Sequence, residues 1–391
     1  MRILLCSNYP VYTGTGGAEK VFWEMGDHFA AQGSEVMCLG FEKGADPKLP
    51  SFHPHGPLVK AVNPGRFYRK SRAAHLLAAL MAFTPQMRRR FRDAVEGRRK
   101  GRLIQGFISS FKPDVIVSYQ AEMTYVLRHS LKTAIPVVTA LHCDIDTLLK
   151  GKQRLLPALA SSEAIVVLQR TYIADLGRYI DPSRAVFIPN AVEQQEGNCD
   201  PDSRVIAMSG RVCPQKNQLL AIRAFAIFLK KHPGWTLRVF GDTDYDKAYH
   251  ALCKNVAASL GVSSSIEFKG IARHVREELE KCSIFAFPSI FEGFSLALTE
   301  AMAIGLPCVC LKSCAGMAEI VENGNNGLLS DASPEAFSAV LSMLADDPGL
   351  RQRIGLAARK SMEEYSPDRI WAQWDKLVRE AASMAGAGRK A

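Results

Sequence analysis

The chain has 391 residues, more than one ordinary hydrophobic core accommodates, and its length predicts two domains. Its composition, 47% hydrophobic and 23% charged, is typical of a soluble globular protein, and no apolar run approaches the about 20 residues that a membrane span needs. The formal net charge is +10, and this excess lies in one segment, because residues 60–102 hold thirteen Lys or Arg against two acidic residues.

The same features predict a cytoplasmic protein. The first apolar run, MRILLC, is shorter than the apolar region of a signal peptide, and a glycine-rich segment follows it in place of a cleavage site. The ten cysteines are scattered, and the spacing of Cys308, Cys310 and Cys314 matches no zinc motif. We therefore predict reduced thiols in the core and no structural metal.

Short apolar runs alternate with helix-length amphipathic segments along the whole chain. Runs of this kind are typical of buried parallel strands with helices on both faces of the sheet. The predicted strands are 2–7, 35–41, 114–119, 136–142 and 164–169, then 205–210, 236–241, 265–270, 284–289 and 307–311. The two series predict an α/β fold with two doubly wound, Rossmann-like domains.

The polar stretch 193–203 separates the two series and is predicted to be a linker. The first domain is expected to cover 1–192 and the second 203–365. Residues 333–364 are predicted to be helical. A further helix, 366–385, is expected to begin at Ser366 and to pack its apolar face back on the first domain. The tail, 386–391, is predicted to be disordered.

Two carboxylates lie near the start of a predicted helix in segment 287–309. The preceding strand is expected to end at Ser289 and the helix to begin near Ser295, so that Glu292 precedes the helix and Glu300 lies inside it. Open α/β sheets bind ligands at the carboxyl ends of their strands, and the N-terminus of a helix attracts phosphate. Carboxylates there are suited to accept hydrogen bonds from the hydroxyls of a sugar and a ribose.

Two cations follow another strand end in SGRVCPQKN, where Lys216 comes five residues after Arg211. At a strand-to-helix corner they would neutralise a leaving diphosphate, and arginine offers bidentate geometry. The alternative is a pair of solvated surface charges. That alternative is disfavoured because the cations and the carboxylates lie at strand ends of the same domain.

The first strand leads into a glycine-rich loop, YTGTGGAEKVF, residues 12–22. Gly16 and Gly17 would let the backbone approach a ligand at the start of the next helix. The loop is not a P-loop, because Lys20 has Glu19 before it and Val21 after it. A plain strand-to-helix turn is the alternative.

Taken in order, these segments resemble the retaining GT-B glycosyltransferases related to glycogen and sucrose synthases, family 4 (glycosyl transferases group 1). Glu292 and Glu300 reproduce the E-x7-E signature, and Arg211 and Lys216 match its paired basic residues. IPNAV (188–192), GMAEIVENGNNGLL (316–329) and the loop GTGGAEK also match. The resemblance implies two sheets facing a central cleft. It also implies transfer of a hexose or N-acetylhexosamine from a nucleotide diphosphate sugar, most commonly a UDP-sugar, with retained configuration.

The resemblance also implies roles for individual residues. Arg211 and Lys216 would hold the donor diphosphate, and Glu300 would bind the ribose. Glu292 and His142 would lie by the donor sugar. The expected catalytic residues are Glu292, His142, Arg211 and Lys216. The expected donor-binding residues are Gly16, Gly17, Arg211, Lys216, Glu292, Gly293, Phe294, Ser295, Leu296 and Glu300. The usual G-F-G after Glu292 is GFS here, and Ala315-Gly316 replaces a glycine pair, which indicates a loop shaped for a particular donor.

The implied mechanism uses no enzyme nucleophile, no cofactor and no metal. A divalent ion is the competing idea, because D-x-D occurs at Asp144–Asp146, Asp242–Asp244 and Asp244–Asp246. In this family the first domain binds the acceptor. The basic clusters of 66–102, beside an apolar stretch, then favour a polyprenyl- or other lipid-linked glycan acceptor at the anionic inner face of the cell membrane.

The activity expected is therefore that of a peripheral enzyme of cell-surface polysaccharide or lipopolysaccharide synthesis. The expected acceptor or membrane contacts are Glu19, Arg66, Arg69, Lys70, Arg88, Arg89 and Arg90. A solvated helix face remains the alternative for the basic segment, and no motif for specific nucleic-acid binding is present.

Two other functions remain open for the whole chain. One is a different enzyme on the same fold, a sugar-nucleotide epimerase or a phosphorylase. The other is a non-catalytic module that binds a sugar nucleotide or a membrane. A dehydrogenase is disfavoured, since no strand is followed by G-x-G-x-x-G with an acidic residue about 20 positions later.

Overall fold

The computed structural model describes residues 1–8, 11, 16–41, 59–62, 76, 84–194, 199–272, 274–317 and 319–388. The chain divides into two compact units. The first comprises Met1–Pro189 and Trp371–Ala391, and the second Asn190–Ile370.

The first unit is built on a seven-stranded sheet in which every strand pair is parallel. Its strands are β1 (Arg2–Ser7), β2 (Glu35–Gly40), β3 (Val59–Val62), β4 (Val115–Ser118), β5 (Val137–Ala140), β6 (Ala164–Val167) and β7 (Ala185–Phe187). The order β3-β2-β1-β4-β5-β6-β7 reverses direction beside β1, as in doubly wound sheets.

Helices of the first unit cover the sheet. They are Gly17–Ala31, Pro85–Phe111, Ala121–Tyr125, Ile145–Leu149, Leu156–Ala160 and Thr171–Gly177, and Val126–Ser130 forms a π-helical turn. Apolar side chains from Pro85–Phe111, among them Ile104 and Ile108, pack on Leu4, Met37 and Ile116 of the sheet. Burial of this apolar area is the main favourable contribution to the stability of the unit.

The last helix, Pro367–Gly388, contributes its later residues to the first unit. His28 Nε2 lies 3.1 Å from Asp375 Oδ2, and the His28 ring stacks on Trp371 with a centroid distance of 5.2 Å. These contacts join the helix to Gly17–Ala31. It extends to Gly388, into the segment predicted to be a disordered tail, and 389–391 lie outside the described residues.

The second unit has a six-stranded sheet, again with parallel pairs throughout. Its strands are β8 (Val205–Ser209), β9 (Thr236–Phe240), β10 (Ile266–Gly270), β11 (Ile284–Phe287), β12 (Cys308–Leu311) and β13 (Leu328–Ser330) in the order β10-β9-β8-β11-β12-β13. Its helices are Gln218–Leu229, Lys247–Ser259, Val275–Leu279, Leu296–Ala303, Pro334–Asp346 and Pro348–Ser361. The prediction of two parallel-sheet α/β domains is confirmed.

The predicted helical segment 333–364 is interrupted. Asp347 has extended dihedral angles, and its side chain accepts a hydrogen bond from the Leu350 N–H, which caps the helix that starts at Pro348. Proline fits the first turn of a helix but not its interior, so Asp-Pro ends one helix and begins the next. Within the described ranges no helix is both long enough and apolar enough to cross a membrane.

Candidate functional site

Three of the predicted donor-binding residues lie at the carboxyl ends of β8 and β11. These two strands are hydrogen-bonded neighbours at the point where the strand order of the second sheet reverses. Arg211 and Lys216 follow β8, and Glu292 follows β11. Such a reversal is where open α/β sheets bind their ligands.

Lys216 and Glu292 form an ion pair across the two strand ends. Lys216 Nζ donates a hydrogen bond to Glu292 Oε1 over 2.6 Å, and the two side chains are only 13% and 10% exposed. The ammonium group also lies 5.2 Å from the ring centroid of Phe287, the last residue of β11. The charge of this lysine is therefore largely compensated inside the protein.

Two hydrogen bonds through Gln215 fix the loops that carry this pair. The Gln215 carbonyl accepts from the Ile290 N–H over 2.9 Å, and Gln215 Nε2 donates to the Phe291 carbonyl over 3.0 Å. Lys216 itself ends a short 3₁₀ turn, and the next helix begins at Gln218 after Asn217, which has a left-handed φ of 53°. Lys216 thus lies in the turn between β8 and the helix Gln218–Leu229.

Arg211 has a different environment from Lys216. Its guanidinium carbon lies 4.5 Å from the ring centroid of Tyr245, which follows β9 and is 56% exposed. Its carbonyl accepts a hydrogen bond from Gln218 Nε2 over 3.0 Å. In the described part of the chain the Arg211 guanidinium forms no ion pair with a carboxylate. Arg211 therefore contributes a net positive charge at this edge of the sheet.

The helix of the E-x7-E motif begins where the sequence predicts. The Ser295 side chain accepts from the Leu298 N–H over 3.4 Å and caps the helix Leu296–Ala303. Phe294 is buried against Tyr365 with a ring-centroid distance of 5.3 Å. Glu300 lies half-buried in the second turn of the helix. Contacts of Phe294 and Leu296 with a donor would have to come from their backbones, because both side chains lie in the core.

Sequence reasoning did not place Cys314, which follows β12, at the candidate site. This thiol is buried near the Lys216–Glu292 pair. Burial, reinforced by the nearby Glu292 carboxylate, raises the pKa of the Cys314 thiol to about 11. The signal that could have found it is its place after the strand next to β11.

In the first unit, His142 follows β5 and stacks on Tyr119 with a centroid distance of 5.0 Å. Among the described atoms its buried Nε2 has no hydrogen-bond partner. Burial lowers the pKa of His142 to about 4, so the imidazole is neutral at pH 7. Gly16 precedes the helix Gly17–Ala31, and Glu19 lies in its first turn.

Two family models match consecutive parts of the chain. The model described as Glycosyltransferase Family 4 covers residues 15–196, and the model described as Glycosyl transferases group 1 covers residues 190–361. The chain belongs to the family 4 type of GT-B glycosyltransferases.

Individual relatives agree with this assignment to different extents. An exopolysaccharide phosphotransferase of Streptomyces coelicolor is 34% identical over 239 residues, 60% of this chain and 25% of that protein. The chain spans between a quarter and about half of the length of the first curated relatives that it matches.

Solved structures show the same fold. Sucrose-phosphate synthase from Thermosynechococcus elongatus superposes with a TM-score of 0.78 at 16% identity, covering 98% of this chain and 100% of that one. Anabaena HepE, solved with UDP and glucose, gives 0.72 at 18% identity, covering 97% and 100%.

The basic segment of this family 4 chain is described only in part. Arg66, Arg69 and Lys70 lie outside the described residues. Arg88 is exposed near the start of the helix Pro85–Phe111, where the Thr84 side chain accepts from the Met87 N–H. Arg89 and Arg90 belong to the same helix, but their side chains lie outside the described part.

The D-x-D residues of this chain have local structural roles. Asp144 and Asp246 cap helices, and Asp146 accepts hydrogen bonds from Arg178 and Tyr179. Asp242 accepts from the Asp244 N–H over 2.8 Å. Across the residues that the structure describes, no group of three His, Cys, Asp or Glu is placed to hold a metal ion.

Proposed function

We propose that this chain transfers a hexose or N-acetylhexosamine from a nucleotide diphosphate sugar to a glycan acceptor with retained anomeric configuration. The observation that carries the proposal is the largely buried Lys216–Glu292 pair at adjacent strand ends, together with the cation of Arg211, which follows the same strand as Lys216. UDP is the favoured nucleotide, because the similarly folded HepE was solved with UDP and glucose.

The charges at these strand ends fit a diphosphate leaving group. The Lys216–Glu292 pair sums to zero charge, so Arg211 supplies the net attraction for the anion. The Lys216 ammonium has three N–H donors, and Arg211 offers bidentate geometry toward phosphate oxygens. Donors fixed in advance stabilise charge as it develops in the transition state. In the same proposal Glu292 orients the donor sugar, and Glu300 binds the ribose.

The reaction proposed needs no nucleophile from the protein. The acceptor hydroxyl attacks the anomeric carbon from the face that the diphosphate leaves, and the hydroxyl proton passes to a leaving phosphate oxygen. Arg211 and Lys216 take the role that a divalent ion has in other glycosyltransferases, so no metal or cofactor is required.

The acceptor proposed is lipid-linked. Along the helix Pro85–Phe111, Met87 and Phe91 are 51% and 40% exposed, one turn apart and next to the exposed Arg88. Exposed apolar side chains flanked by arginine fit an anionic membrane surface. A lipid-linked acceptor at the inner face of the cell membrane would suit an enzyme of cell-surface polysaccharide or lipopolysaccharide synthesis.

Calorimetric titration with UDP, ADP and GDP tests the donor assignment. We expect one nucleotide to bind, and Arg211→Ala to weaken it at least about tenfold through loss of a charge-assisted contact. Arg223→Ala, which removes an exposed arginine from the helix Gln218–Leu229, is the matched control and should change affinity less than about twofold. If no nucleotide binds the wild-type chain, the assignment is wrong. NMR of the product from an α-linked donor reports whether the configuration is retained.

Flotation with vesicles tests the membrane assignment. Binding to phosphatidylglycerol vesicles should exceed binding to phosphatidylcholine vesicles and should fall in Arg88→Glu but not in Arg223→Glu. Equal binding to both vesicles would contradict the assignment.

A further inference from the structure

Tyr245 is an exposed aromatic side chain beside the arginine of the candidate donor site. It is 56% exposed, so burial in the core does not account for its position, and the Arg211 guanidinium carbon lies 4.5 Å from its ring centroid. A guanidinium over the face of a tyrosine is attracted by the quadrupole of the ring. The contact therefore restrains a side chain that would otherwise sample many rotamers.

The backbone around the two residues is fixed as well. The parallel pairing of β8 and β9 continues beyond the strands, since the Gly210 N–H donates to the Phe240 carbonyl and the Val212 N–H to the Asp242 carbonyl, each over 2.9 Å. Gly241 has a φ of +131°, and a Cβ there would lie 2.1 Å from the Gly210 carbonyl oxygen. The two strand ends therefore lie so close together that only glycine fits at position 241.

Tyr245 directly precedes the N-cap of the next helix. Asp246 caps Lys247–Ser259 by accepting from the Tyr249 N–H over 3.0 Å. Tyr245 consequently lies between a loop attached to β8 and a capped helix. The cap restrains the backbone next to Tyr245, and the ring contacts Arg211.

We infer that Tyr245 is a positioning residue that orients the Arg211 guanidinium toward the diphosphate of the nucleotide sugar. When the guanidinium stacks flat on the ring, its N–H donors lie in a plane parallel to the ring and can form bidentate bonds with phosphate. The inference rests on the proposed function, because it needs a diphosphate ligand.

The test compares a nucleoside diphosphate with its nucleoside. Affinities are measured for the tightest of UDP, ADP and GDP, and for the matching uridine, adenosine or guanosine. Tyr245→Ala should weaken diphosphate binding about threefold to tenfold, the range expected for a partly exposed cation–π contact, and should leave nucleoside affinity unchanged. Tyr245→Phe keeps the ring and should stay within about twofold of wild type.

Two controls separate positioning from a general effect on folding. In an Arg211→Ala background, Tyr245→Ala should have no further effect, because its partner is gone. Tyr179→Ala removes a second exposed tyrosine, in the first unit, whose ring lies 5.7 Å from the Arg178 guanidinium carbon, and it should not change affinity.

The possible failures are distinguishable. If the wild-type chain binds none of the diphosphates, the proposed function fails and the inference fails with it. If the wild type binds but Tyr245→Ala is unaffected, the inference alone is wrong. A nucleoside affinity that falls as much as the diphosphate affinity would overturn it as well, since Tyr245 would then contact the nucleoside. An effect of Tyr245→Ala on diphosphate affinity that persists in the Arg211→Ala background would also overturn the inference.

Discussion

The Lys216–Glu292 ion pair leads to a stability prediction that does not depend on any ligand. The charged atoms are 2.6 Å apart, and the side chains are 13% and 10% exposed. At an effective dielectric constant near 20, the gross attraction at that distance is about 6 kcal/mol. Desolvation of the two ions offsets most of it, but removing one partner leaves the other largely buried and uncompensated. We expect Lys216→Met or Glu292→Gln alone to cost about 2–4 kcal/mol of unfolding free energy.

The double variant Lys216→Met/Glu292→Gln should lose at least about 1 kcal/mol less than the sum of the two single losses. The assay is urea unfolding followed by hydrogen exchange of the β11 amides, which reports on the second unit. The Arg238–Glu267 pair of the same unit is the control, because its side chains are 26% and 41% exposed and its coupling should be about 0–1 kcal/mol. Additive losses at Lys216 and Glu292 would refute the reasoning.

Three further predictions concern pH, backbone strain and metal. Burial lowers the pKa of His142 from 6.5 to about 4, so between these pH values the unfolded chain binds a proton that the folded chain does not. The free energy of unfolding is therefore undiminished above pH 6.5 and decreases as the pH falls toward 4. Wild type should lose about 2 kcal/mol more than His142→Gln between pH 7 and 5 in urea unfolding, and parallel pH profiles would contradict this. Gly241→Ala places a Cβ 2.1 Å from the Gly210 carbonyl oxygen and should cost at least about 3 kcal/mol, whereas Gly33→Ala, with φ +78° and no heavy atom within 4 Å, should cost about 1 kcal/mol. EDTA should leave transfer from a UDP-sugar unchanged, and a loss restored by Mg²⁺ would contradict metal independence.

Most strands that sequence reasoning found are largely buried, and β10, a partly exposed edge strand, is the exception. Every residue of β4, β5 and β6 is buried, so each forms an uninterrupted apolar run. The missed strands lack such a run. β3 and β7 carry half-buried or exposed residues at the two edges of the first sheet, and β13 is only three residues long at an edge of the second.

The candidate site could be predicted only as separate pieces. The rule that ligands bind at carboxyl ends of strands selected Arg211, Lys216 and Glu292 one by one. The ion pair joins residues 76 positions apart, and it depends on β8 lying beside β11, which no local pattern encodes. Tyr245 was missed for the same reason, because its partner belongs to another strand end.

The strand order explains how these residues act on one another. Reading across the second sheet through β9, β8 and β11, Tyr245 contacts Arg211 and Lys216 pairs with Glu292. Each contact joins side chains from neighbouring strand ends. Since energetic coupling is strongest between groups in contact, Tyr245 should couple to Arg211 and much less to Glu292. The effect of a substitution at this edge therefore depends on the order of strands in the sheet rather than on the order of residues in the sequence.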